Sequence, residues 1–527
     1  MDFQKYYDAE KKVINMPKKH VPIHPDGLGV YLYENVQNHL DKLAQIDVRT
    51  GEKEDYRSYV NRCCYVASEM KSRGVTPEDR ICLCSHNQMD TNIAFMGTIY
   101  TGAKPASLDP SLSVEDTIHL LKISTPKMVF ASEDAEDLME KAIKESGLDI
   151  ELFIFTKDAS KKNSFAPFVA PRNLDDFQVY KVKSLEETSM ILFSSGTTGL
   201  PKGICLSHKA IIYHVEDVPF QVTSVLLFSS LYWISSIFAT LVMQRFGTCK
   251  VICKNFDAVE TWMNIEKFDI KTVFLAPCDV INFYNRMPEG HVSTLENLII
   301  GGSHLNPDYL RKLIKALPNT VVSYCYGQSE AFNLIEPTYR EDKLGSVGVP
   351  NHGLSYKVVN PETEENVGLN QEGELRIKYD YAMTGYYNCD ASSAWDAEGY
   401  LKTGDIVYFD EDFHMYVVDR IKEMFKYKSW HIVPTKLEMI LMKHDDINYA
   451  TVVGIPHPED DNHIKAIVQL KDGRTADPEE IKSFAESFLD DRHRIRAGVT
   501  IVKDFPVTPT GKVQRRILKD LVMKGRI

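Results

Sequence analysis

Basic charge is in short supply in this 527-residue chain: 61 Lys and Arg stand against 74 Asp and Glu, a formal net charge of -13 at pH 7. A nucleic-acid binder usually shows a basic face, so this balance points to small-molecule or protein partners and away from nucleic acid. The ten cysteines include no C-x-x-C pair, and the adjacent Cys63 and Cys64 are poorly placed for a zinc site. They read as reduced core residues of an intracellular protein, and a cytoplasmic location is the expectation. The opening MDFQKYYDAEKK has no apolar h-region, so no secretory signal is inferred. The closing Lys524-Gly525-Arg526-Ile527 is not a peroxisomal Ser-Lys-Leu type ending. Internal repeats and low-complexity segments are missing as well.

Charge is also absent from residues 224–243, about the length a spanning helix needs. Ser229, Ser230, Ser235, Ser236 and Thr240 interrupt that run, and Val225-Leu226-Leu227-Phe228 looks like a buried strand leading into a helix. Buried core is favoured over a membrane span.

The length calls for two or more domains. Helical periodicity with polar turns runs from Tyr31 to Arg73, Arg80–Cys84 reads as a strand, and residues 89–100 read as a helix. Further strands are expected at 127–131, 152–155, 250–253, 272–275 and 298–300. Strands alternating with helices imply βαβ units and a mostly parallel sheet. Beyond Gly345 the texture shifts to short strands and turns, such as 373–378, which predicts a β-rich subdomain. The fold class is therefore α/β: a large N-terminal domain over 1–418, and a small α+β domain over 419–527.

The densest chemistry lies at residues 191–203, ILFSSGTTGLPKG. A short apolar strand would feed Ser194, Ser195, Gly196, Thr197, Thr198 and Gly199 into a tight loop. There, backbone N–H groups and hydroxyls can converge on phosphate, and Lys202 adds a full positive charge. A Ser/Thr/Gly-rich surface turn is the plainer alternative. The loop is not the common P-loop, because Gly203 stands where that motif needs Ser or Thr after the lysine.

Four further stretches follow in order: 324–330 (YCYGQSE), 400–405 (YLKTGD), 419–428 (DRIKEMFKYK) and 506–512 (PVTPTGK). Together with the loop they resemble the adenylate-forming superfamily of acyl-CoA synthetases, aryl-CoA ligases and beetle-type luciferases. The resemblance spans most of the chain. It implies that a carboxylate attacks the α-phosphate of ATP to give an acyl-adenylate and pyrophosphate. The loop, Lys202 included, would then hold the β- and γ-phosphates, Glu330 would hold Mg²⁺, Ser329 would contact phosphate and Tyr326 would lie against adenine. Asp405 would accept from the ribose hydroxyls, with Arg420 near the same sugar. Lys512 would act at the α-phosphate, and Lys426 in a second half-reaction after the small domain swings about Asp419 or Lys422. Without the family, an Asp after Gly is commonly a turn residue, and 419–428 is a charged run of the kind that forms a solvated face.

The sequence departs from the family pattern in places. Ser429 stands where CoA-using members commonly carry Gly, and a Cβ there would crowd a pantetheine tunnel unless serine is small enough to be harmless. Trp233 occupies what looks like the His or aromatic gate of the acyl pocket, with plain core packing as the alternative. The segment 208–225 is short beside beetle luciferases and offers no arginine where they place one. Ser303-His304 replaces the usual Ala-Pro after Gly301-Gly302, so Gly301, Gly302, Ser303 and Trp233 are the candidate acyl-site residues. The leading function is an ATP- and CoA-dependent acid–thiol ligase acting on a small-molecule carboxylic acid. Its rival is a luciferase-like monooxygenase in which O₂ attacks the activated substrate, and a third reading is a non-catalytic nucleotide-binding scaffold. The particular acid and the oligomeric state are left open.

Overall fold

The computed structural model describes residues 2–194, 201–218, 222–289, 294–428, 430–507 and 513–527. In the smaller of two parallel sheets, Arg80–Cys84 lies between Lys104–Pro105 and Met128–Ser132, and Glu151–Phe155 extends the edge. The larger sheet runs Val321–Cys325, Asn297–Gly301, Thr272–Leu275, Ser224–Leu227, Cys249–Ile252 and Leu43–Asp47, all parallel, with Lys53–Asp55 antiparallel at the end. Strands covered on both faces need unbroken apolar runs, and Met128–Ser132 is buried at every position. Most strands fall within a residue of the positions expected from sequence. The exception is residues 31–73, where helices Leu28–Val36 and Tyr56–Ser72 flank the strands Leu43–Asp47 and Lys53–Asp55. Helical periodicity did not reveal those strands, because Leu43–Asp47 is held by the distant Cys249–Ile252.

The uncharged stretch divides into strand Ser224–Leu227 and helix Ile234–Phe246. Among the described residues no helix is long and apolar enough to cross a membrane. Its interrupting hydroxyls have partners. Ser230 Oγ donates to Asp109 Oδ2 at 2.5 Å, and Ser229 and Ser235 share a hydrogen bond at 3.0 Å. Lys250 Nζ donates to Asn92 Oδ1 and Thr240 Oγ1, both at 2.9 Å, and to Ser236 Oγ at 3.4 Å. Surrounded by neutral acceptors and fully buried, Lys250 has its pKa pushed down to about 7 by desolvation. All nine described cysteines are free thiols, and seven are buried.

The β-rich part is an antiparallel sheet in which Leu354–Val359, Gly373–Tyr379, Leu401–Phe409 and Met415–Arg420 succeed one another. A smaller α+β unit follows, with Ile447–His457 paired to Asp461–Leu470, helices Pro434–Leu441 and Pro478–Glu486 packed into one core, and Leu518 of helix Arg515–Met523 packed with Val453 and Ile467 in another. The junction is more ordered than a solvated charged run. Asp419 is 6% exposed, lies opposite Ile406 in the sheet, and accepts the Thr435 N–H at 3.1 Å at the start of helix Pro434–Leu441. Arg515 clamps the same region by pairing with Glu438 and, at 2.7 Å, with Glu423.

Candidate active site

Strands Thr188–Phe193 and Gly203–Ser207 form a hairpin in which Phe193 lies opposite Gly203. Just beyond, the Ser194 N–H donates to the Lys202 carbonyl and the Lys202 N–H donates to Ser194 Oγ, each at 2.9 Å. These bonds pin together the two ends of the loop. Ser195, Gly196, Thr197, Thr198 and Gly199 lie outside the described residues, as do Ser429 and Lys512. The Lys202 ammonium sits 4.6 Å from the ring centre of Tyr386, whose strand pairs with the hairpin at Ile204.

Strand Val321–Cys325 delivers Tyr326, and a hairpin of Gly327–Gln328 with Phe332–Asn333 then presents Ser329 and Glu330 at its tip. Only glycine fits at 327, because a Cβ there would stand 2.1 Å from the Phe332 carbonyl oxygen. The Tyr326 hydroxyl donates to Asp405 Oδ2 at 2.7 Å, and Arg420 Nε meets Asp405 Oδ1 at 2.9 Å. The second contact follows from register: Asp405 and Arg420 are direct cross-strand partners, a spacing at which opposite charges meet. A bulge between Ile406 and Val407 follows immediately. Asp405, only 2% exposed, thus has both carboxylate oxygens engaged.

The charges around this group act on one another. Burial raises the pKa of the Glu330 carboxyl, against the opposing pull of its own backbone N–H, Arg420 and Lys422. Partial desolvation, then the like charges of Lys202 and Arg420, lower that of Lys422. Desolvation works against the Arg420 charge, but Asp405 and Tyr326 more than offset it and its pKa rises. Burial, with Glu330 nearby, pushes the Tyr386 hydroxyl up to about 12. Arg420 lies near Glu330, Asp405 and Glu423, Lys422 near Glu330, and Lys202 near Lys422 and Asp390, so a polyanion entering here would relieve repulsion among the cations. Glu330 is a half-buried hard oxygen donor raised in pKa by desolvation, and such a group suits Mg²⁺.

The acyl-side candidates border this cluster. Gly301 ends its strand directly beside Cys325, one residue before Tyr326, and Gly302 takes φ +104°, open to glycine at little cost. The Ser303 carbonyl accepts from the Tyr324 hydroxyl at 3.1 Å, while the buried His304 Nε2 has no partner among the described residues. Trp233 caps the helix Ile234–Phe246 and packs on the cluster containing Ile191 and Phe193. Among the described residues its buried indole N–H has no acceptor, at a cost of about 1–3 kcal/mol unless a ligand meets it. The structure thus brings together Ser194, Lys202, Tyr326, Glu330, Asp405 and Arg420. Lys426 is exposed on strand Phe425–Tyr427 and joins none of these ion pairs. Sequence reasoning passed over Tyr386, which carries no motif.

Residues 32–387 match the model of a family described as AMP-binding enzyme, and residues 436–512 match that of the AMP-binding enzyme C-terminal domain. The chain is 27% identical to luciferin 4-monooxygenase of Nipponoluciola cruciata, covering 98% of each, and 28% identical to 4-coumarate–CoA ligase 1 of Petroselinum crispum, covering 96% of this chain and 95% of the relative. Among solved structures, the luciferase-like enzyme from the nonluminescent Zophobas morio mealworm is 35% identical, with a TM-score of 0.73 over 78% of this chain and all of that one. ATP-bound MatB from Rhodopseudomonas palustris, 20% identical, superimposes with a TM-score of 0.83 over 94% of this chain and 99% of that one.

Proposed function

The chain belongs to the AMP-binding enzyme family, whose members among its relatives are CoA ligases and luciferases, and from that premise we propose that it is an acid–thiol ligase. It activates a small-molecule carboxylic acid with ATP and passes the acyl group to CoA, the thiol sulfur bonding to the acyl carbon as the acyl–phosphate bond breaks and AMP leaves. In the first step a substrate carboxylate oxygen bonds to the α-phosphorus while the bond to the β-phosphate bridging oxygen breaks, releasing pyrophosphate. The observation that carries this reading is the Tyr326–Asp405–Arg420 group set beside Glu330 and the Lys202 hairpin. Asp405 accepts from the ribose hydroxyls, Arg420 holds its carboxylate in place, and Tyr326, pinned through its hydroxyl, offers a ring face to adenine. Lys202, Ser194 and the loop take the outer phosphates, with Ser329 beside them. Bound at Glu330, Mg²⁺ would neutralise phosphate charge as the leaving group departs. Lys512 faces the charge that builds at the α-phosphate.

For the second step the small domain turns to bring Lys426 toward the adenylate. Asp419 and Arg420 are fixed in the sheet ladder, and the Ile421 N–H donates to the Gly404 carbonyl at 3.0 Å, so Lys422 is the first residue placed to act as pivot. The acyl site is formed by Gly301, Gly302, Ser303 and Trp233. The test is to supply ATP, Mg²⁺ and CoA with a panel of carboxylic acids and weigh the products: an acyl-CoA supports the ligase. The 27% identity to luciferin 4-monooxygenase over 98% of both chains supports one second reading, an oxygenase in which O₂ attacks the adenylated substrate. Light from luciferin, ATP and O₂ without acyl-CoA formation would replace the first reading by that one.

A further inference from the structure

The hairpin that joins Ile447–His457 to Asp461–Leu470 carries a cluster the proposed reaction does not use. His457, Asp460 and His463 are the one group of three His, Cys, Asp or Glu residues, among the described residues, whose ligand atoms all lie within 4.8 Å of one another. The sheet register explains why they meet. Asp461 lies opposite His457 and His463 opposite Ile455, so the two histidines share one face on a diagonal. Their rings stack with centroids 3.8 Å apart and planes 14° from parallel. Asp460 Oδ2 stands 2.8 Å from His463 Nε2 and 3.8 Å from His457 Nδ1.

We propose that His457, Asp460 and His463 form a binding site for a divalent transition-metal ion of the Zn²⁺ type, distinct from the magnesium position at Glu330. Metal–ligand bonds of about 2.0–2.1 Å place neighbouring ligands of a tetrahedral ion about 3.3 Å apart, and the two separations from Asp460 bracket that figure. Two imidazoles with one carboxylate select Zn²⁺, Co²⁺ or Ni²⁺ over Mg²⁺ and Ca²⁺, which prefer all-oxygen ligands. The open fourth position takes water or a ligand. Binding requires the two rings to turn out of their stack, because an ion lies in the plane of each imidazole that ligates it. The present occupant is a competitor: Lys428 Nζ stands 3.5 Å from Asp460 Oδ1, and the Glu459 N–H makes a long 3.4 Å contact with His457 Nδ1. Metal entry displaces the Lys428 ammonium from Asp460. The hairpin is tied to the strand bearing Lys426, since Asn462 Nδ2 donates to the Lys426 carbonyl at 3.0 Å and Asp461 pairs with Tyr427. The ion would therefore sit beside the segment proposed to act in thioester formation.

The test uses the full chain, stripped with chelator and titrated with Co²⁺ and Zn²⁺ by calorimetry and by the visible absorption of four-coordinate Co²⁺. One saturable equivalent is expected, with affinity at least tenfold weaker in His457→Ala and in His463→Ala. Lys428→Ala, which removes the competing cation, should bind more tightly, a gain that loss of folding cannot mimic. Absence of a saturable site in the wild type, or unchanged affinity in both histidine variants, would overturn the proposal. Unchanged affinity in Lys428→Ala would overturn the competition between ammonium and metal.

Discussion

Replacing Asp405 with Asn keeps the side chain's outline and removes its charge. In the folded protein that carboxylate receives the Tyr326 hydroxyl at 2.7 Å and the Arg420 guanidinium at 2.9 Å, with 2% of the residue exposed. A hydrogen bond to a charged group contributes about 1.5–3 kcal/mol, against about 1 for a neutral one, so neutralising the acceptor of two such bonds should cost about 1–4 kcal/mol of stability. The amide also forces an N–H toward one of the two donors. The ribose hydroxyls, proposed to use the same oxygens, would lose about 1–3 kcal/mol more, or on the order of 10- to 100-fold in nucleotide affinity. Calorimetric titration with AMP, with denaturant unfolding in parallel, measures both effects. A cycle with Tyr326→Phe should return a coupling of about 0.5–3 kcal/mol, because the two residues share one bond. An Asp405→Asn protein that binds AMP within about twofold of wild type would refute the ribose assignment, and zero coupling would refute the shared bond.

Lys512→Ala should lower pyrophosphate exchange on the order of a hundredfold while leaving the unfolding curve in place, since the lysine is proposed to act on transition-state charge. Lys426→Ala should retain exchange but slow thioester formation from preformed adenylate, and equal damage to both steps would count against domain alternation. Acid sensitivity follows from two buried imidazoles, His208 and His214, whose pKa values burial lowers to about 4. The unfolded chain takes up these protons near pH 6.5 and the folded chain does not. Stability present at neutral pH is therefore lost as pH falls through 6.5 toward 4, by about 2 kcal/mol per imidazole at pH 5. Urea midpoints that stay level between pH 7 and 5 would contradict that burial.

The parts of the fold visible in the sequence were those set by local pattern. The apolar run at Thr272–Leu275 is a buried parallel strand because both its faces are covered, and Asn297–Gly301 follows the same rule. Leu43–Asp47 was not legible, since its strand state depends on a partner far along the chain. The same holds for Lys250. Its place in a strand was readable, but the Asn92, Ser236 and Thr240 oxygens that receive it come from two helices. At the site, Asp405 and Arg420 were each found in a motif by resemblance, while their ion pair depends on the register of two strands. The serines of residues 229–236 had looked like breaks in an apolar stretch, and in the fold they are its hydrogen-bonding members.

The central claim is that this chain makes an acyl-adenylate, and isotope exchange between pyrophosphate and ATP measures that step alone, without CoA or O₂. The enzyme is held with ATP, Mg²⁺ and labelled pyrophosphate, and carboxylic acids are added one at a time. The account predicts that label enters ATP only when an accepted acid is present, and that Asp405→Asn and Lys512→Ala each reduce the rate. Label entering ATP at the same rate without any acid, or no exchange across a panel spanning short, long-chain and aromatic acids, would contradict it.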